Sequence, residues 1–82
     1  MQVKVLFFAT LRDKAGTRSA DLELSEGTTI AELKTILSEK FPAMTPQVMD
    51  HCLASLDHEY RFDETVITDG AEIALFPPVS GG

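Results

Sequence analysis

The chain has 82 residues, room for one domain, and a fold of this size hides only about 60% of the surface its unfolded chain exposes, so the core is thin. With 44% hydrophobic and 24% charged residues the composition is globular rather than disordered, and no stretch approaches the roughly 20 apolar residues of a membrane-spanning helix. Thirteen acidic residues against seven basic ones leave a net charge of -6, which speaks against a nucleic-acid partner and for a protein partner with a basic docking surface.

Residues 2–10, QVKVLFFAT, are rich in Val, Leu and Phe and apolar on both alternating faces from Val5 to Phe8, which predicts a central strand covered at least in part on both sides. The amino terminus has one basic residue nearby and no small-residue cleavage site, so it reads as this strand and not as a signal peptide. A cytoplasmic protein is expected. The lone Cys52 cannot form an internal disulfide, which fits a reducing compartment. Charges and Gly16 in LRDKAGTRS predict a surface connection. ADLELS alternates, with Leu22 and Leu24 opposite Asp21 and Glu23, and so predicts a half-buried strand in a hairpin with the first.

Thr29 and Glu32 have the spacing of a capping box, in which each satisfies a free backbone N–H at a helix start. Ile30, Leu33, Ile36, Leu37 and Phe41 then recur at helical steps and form one apolar stripe, which Pro42 ends. Pro46 is placed to open a short helical turn. CLASLD predicts a third strand, EYRFDETVI a loop with room for one short strand, Asp69-Gly70 a turn, and residues 71–76, AEIALF, the last strand. One main helix has to bury its stripe against one sheet. The expected fold class is therefore α+β, a β-grasp arrangement with a mixed sheet of four to five strands and the first and last strands parallel in the middle.

The ending, FPPVSGG, has no place in that core. Pro77 and Pro78 hold φ near -65° and favour an extended exit from the last strand, and neither can donate to a ladder. A domain over residues 1–82 with a projecting tail over 77–82 is expected. Gly81 and Gly82 carry no Cβ, so they suit a narrow channel. The α-carboxylate after Gly82, with a reference pKa of about 3.3–3.7, is ionised at neutral pH and able to attack a nucleotide α-phosphate. Against this stands a frayed end with no task.

Residues 1–82 resemble the small sulfur-carrying subunits of molybdopterin synthases, a ubiquitin-like β-grasp family within the wider group that includes the thiamine sulfur carriers. VKVLFFATLRDKAG at the front and TDGAEIALFPPVSGG at the end carry the likeness, and Phe76-Pro77-Pro78-Val79-Ser80-Gly81-Gly82 is its specific part. The resemblance implies that an adenylating, ubiquitin-activating-like enzyme uses ATP and magnesium to activate Gly82, and that sulfur transfer makes a C-terminal thiocarboxylate. It further implies delivery of that sulfur to a cyclic pterin phosphate precursor in the active site of the large synthase subunit, within a heterotetramer. Gly82 is then the carrier, Gly81, Ser80, Val79, Pro78 and Pro77 the channel segment, and the chain itself no enzyme and holder of no cofactor.

Phe76 and Phe7 read either as core or as apolar docking surface. Arg12 reads as a solvated charge or as the partner of an acid on a docking protein. Asp57 and His58 stand where the family pattern has a more Asn-rich strand and turn. A metal site is not expected, since His51, Cys52 and His58 are too few for structural zinc. Competing functions are thiamine-thiazole sulfur donation, conjugation of Gly82 to lysines as a protein modifier, and a binding module with an inert tail.

Overall fold

Along the first strand, β1 (Gln2–Phe7), Val3, Val5 and Phe7 are buried while Gln2 and Lys4 are exposed, so one row faces a core and the other does not. The computed structural model describes residues 1–78. Next come β2 (Ser19–Glu23), the main helix, three further strands β3 (Leu53–Leu56), β4 (Glu59–Arg61) and β5 (Glu72–Phe76), and two short helices. One mixed sheet results, in the order β2-β1-β5-β3-β4. β1 pairs antiparallel with β2 and parallel with β5, as the hairpin and crossover readings require. No helix among the described residues is long and apolar enough to cross a membrane.

The two short helices are α1 (Thr10–Ala15) and α3 (Pro46–Asp50), and α2 (Ile30–Lys40) is the main one. At its start Thr29 N–H donates to Glu32 Oε1 at 3.0 Å and Glu32 N–H to Thr29 Oγ1 at 3.2 Å, the capping box in full. Ile30 and Ala31 N–H groups donate to Thr65 and Asp63 carbonyls, both at 3.0 Å, so the loop after β4 takes the remaining free donors of the first turn. Ile30, Leu33 and Leu37 are fully buried against Val5, Ile73 and Leu75 of the sheet. Each such side chain contributes about 1.5–3 kcal/mol of burial. Ile36, expected in the same stripe, lies at its rim and is 36% exposed. Phe41 closes the helix and meets Phe7 edge-on, ring centroids 5.5 Å apart at 78°.

The surface connection expected after β1 is instead the helix α1. Leu11 anchors it in the core, and Gly16, left-handed at φ 74°, ends it by donating its N–H to Arg12 O at 2.9 Å. Six residues with one buried anchor are too few to show a helical stripe. α3 begins, as Pro46 predicts, with proline at its opening and Thr45 as cap.

Asp57 and His58 are the two residues between paired Leu56 and Glu59, at φ 49° and 74°. Such a tight hairpin demands positive φ at both positions, which explains why Asn and Gly suit it. Asp57 also ties the turn down, since Glu72 N–H donates to its Oδ1 at 3.0 Å. His58→Gly is expected to stabilise the fold by about 0.5–1 kcal/mol by relieving a left-handed side chain, read as a rise of the thermal midpoint by a few degrees. An unchanged or lower midpoint would show that His58 carries no strain.

Candidate functional site

The face of the sheet away from α2 carries Leu6 of β1, Ala74 and Phe76 of β5, Ser55 of β3 and Tyr60 of β4. Phe8 joins them just past β1. Its ring stacks on Phe76 with centroids 4.7 Å apart and planes within 14°, while Tyr60 lies 5.9 Å from Phe76 on the other side. Phe8 and Phe76 are half-buried and Tyr60 is 68% exposed. Three aromatic rings in a row, one of them on the last residue before Pro77, form a partly exposed aromatic patch on this face, the residue type that protein interfaces favour at their centres.

Ala9 holds Phe8 in place. It sits at φ 51°, ψ -129°, a region that costs an L residue free energy, and Leu11 N–H donates across it to Phe8 O at 3.1 Å. The resulting turn sends the chain into α1 and leaves Phe8 on the outer face. Beside the patch Pro77 is half-buried and Pro78 exposed, and both flank an apolar groove of about 330 Å³ shared with Leu11 of α1 and Val48 of α3.

Of the residues singled out from sequence, Phe76, Pro77 and Pro78 are thus brought together at one end of β5. Phe7 is corrected: it is 1% exposed, on the core row of β1, and offers no docking surface. Arg12 is exposed on α1, with no ion pair among the described residues. Val79, Ser80, Gly81 and Gly82 lie outside the described residues. Phe8 and Tyr60 were missed, although the second apolar row of the first strand and an aromatic among the charges of EYRF were visible signals.

Cys52 is buried and its Sγ donates to Val48 O at 3.0 Å. Burial pushes its thiol above the ordinary value of 9.0, only partly opposed by the Lys34 ammonium, so it stays protonated and inert at neutral pH. Native protein is expected to react with a thiol reagent at least about tenfold more slowly than protein in urea. Ionisation of this thiol favours the unfolded chain, so its contribution to stability is complete below the ordinary value and lost as pH rises through the raised one. Native and unfolded reactivities that match would remove the burial argument.

Comparison with known proteins completes the description. A ThiS family model matches residues 5–82. The chain belongs to the ThiS family. A molybdopterin synthase sulfur carrier subunit of Chlamydomonas reinhardtii is 38% identical to this ThiS-family chain over 84 residues, covering 100% of both. Among solved structures, the small archaeal modifier protein 1 of Haloferax volcanii superposes with a TM-score of 0.84 at 26% identity, covering 95% of this chain and 98% of its own. A chain from the solved protein-protein complex of subunits 1 and 2 of the molybdopterin-converting factor from Helicobacter pylori matches with a TM-score of 0.69 at 28% identity, covering 100% of this chain and 100% of that one. The fold of this ThiS-family member is the ubiquitin-like β-grasp, with its mixed five-stranded sheet.

Proposed function

We propose that this chain is a molybdopterin synthase sulfur carrier that bears its sulfur as a thiocarboxylate on Gly82. The observation that carries the reading is the full-length match to a sulfur carrier subunit, joined to an aromatic patch that ends where the Pro77-Pro78 stem begins. A carboxylate oxygen of Gly82 attacks the α-phosphate of ATP on the activating enzyme, where magnesium would offset the phosphate charge, and the bond to pyrophosphate breaks as the acyl-adenylate forms. Nucleophilic sulfur then attacks the acyl carbon and expels AMP. The thiocarboxylate enters the large synthase subunit and gives its sulfur to the pterin precursor, and hydrolysis returns the carboxylate.

This chain contributes position rather than catalysis. Phe8, Phe76 and Tyr60 dock it, its net charge of -6 steers it to a basic surface, and slender glycines follow the stem. A large-subunit partner is supported by the two-subunit complex of the Helicobacter pylori relative. A heterotetramer with one carrier at each end of a large-subunit dimer is the assembly we infer. The likeness to a small archaeal modifier favours a second reading, in which Gly82 is joined to lysines.

Intact-mass measurement after incubation with an activating enzyme, ATP, magnesium and a sulfur donor separates the readings. Replacement of one terminal oxygen by sulfur is the expected result. Lysine conjugates in its place would establish the modifier, and an unchanged mass the inert module.

A further inference from the structure

Three of the large apolar side chains that are exposed among the described residues cluster at one edge of the sheet: Leu53 at 44%, Tyr60 at 68% and Phe62 at 83%. Leu53, Tyr60 and Phe62 line a groove of about 430 Å³ that Lys34 of α2 and Cys52 border. Strand β4 ends the sheet there. An aromatic ring left this far in water, beside an open apolar concavity, is the mark of an interaction surface.

The charges around the groove indicate what fills it. Lys34 Nζ is matched by Asp63 Oδ1 at 2.9 Å and Arg61 by Glu59 at 2.5 Å, so the cations are already satisfied. Asp50 and Glu64 remain on the rim with no ion pair among the described residues. A second copy of the chain would set these acids face to face, each copy carrying -6. From the apolar floor and the unmatched carboxylates together, we infer that the groove docks a protein segment presenting an aromatic or branched aliphatic side chain flanked by Lys or Arg. Tyr60 joins the two surfaces, since it lines the groove and also packs near Phe76, so the segment would run onto the aromatic patch.

The full chain, titrated with a short amidated peptide carrying Phe and Leu between lysines and followed by backbone amide NMR, tests this. Saturable shifts are expected at Leu53, Tyr60, Phe62 and Lys34. Affinity should fall by about tenfold or more in Phe62→Ser, or when alanines replace the peptide's Phe and Leu. Because Phe62 is 83% exposed, the variant keeps its fold, which its unfolding midpoint checks. The inference is overturned by shifts confined to Phe8 and Phe76, by equal binding of a peptide with Glu in place of Lys, or by absence of saturable binding. Concentration-dependent shifts at the groove without peptide would overturn it in favour of a second copy. None of these outcomes involves Gly82, so each leaves the sulfur-carrier reading standing or falling separately.

Discussion

Deleting Gly82 should reduce sulfur transfer to less than about one hundredth of the parent rate while leaving the unfolding midpoint unchanged. Removing one residue draws the terminal carbonyl carbon back by roughly 3.3–3.6 Å along an extended chain, and misplacing a reacting atom by about 1 Å can already cost some 10²-fold. Adding a residue after Gly82 should be as damaging, since the acid then overshoots the same reaction centre. On the proposed carrier function, a bulky residue at Gly81 should also slow sulfur delivery, by barring the tail from the large subunit. The fold is spared because the core cluster of the described residues runs from Val3 to Leu75. The decisive measurement is single-turnover sulfur delivery by each variant to the large synthase subunit. Normal delivery by either the shortened or the lengthened chain would end the carrier reading.

Lys34→Ala should cost about 2–4 kcal/mol of stability in urea unfolding. Lys34 is 6% exposed, and its Nζ donates to Cys52 O and reaches Asp63 Oδ1, each at 2.9 Å. It therefore fastens α2 to the approach of β3 and to the loop that caps the helix start. Truncation leaves the Cys52 carbonyl without this donor, about 1–3 kcal/mol, and removes the packing of a long aliphatic stem. Breaking an ion pair in which both members are buried costs about 3–5 kcal/mol, and the 48% exposure of Asp63 keeps this one lower. Lys34→Met, which keeps the stem, should recover part of the loss. For a domain of this size total stability is about 4–12 kcal/mol, so the effect is large, and a cost below about 1 kcal/mol would show the clasp to be incidental.

What was readable from the chain alone were the features that a few neighbouring residues settle. The capping box needs only Thr29 and Glu32, the stop only Pro42, and the turn before the last strand only Asp69-Gly70, where Gly70 takes φ 75°. The β1–β2 hairpin follows from alternation, and the parallel central pair from having one main helix to cover. α1 escaped because a one-anchor helix has no periodicity. Lys34 escaped because a lysine within a helix reads as solvated until a loop some thirty residues on brings Asp63 over it.

Phe7 and Phe8 mark the boundary between the two kinds of information. Alternation along a strand requires that neighbours point to opposite faces, so the sequence by itself determined that these two rings would lie on opposite faces of the sheet, and cover on both faces was expected. Which one entered the core depended on the side from which α2 packs: Phe7 went under Phe41 and Phe8 went out to Phe76. Only the tertiary structure could decide that, because a period of two distinguishes the faces of a sheet without saying which of them a distant helix will cover.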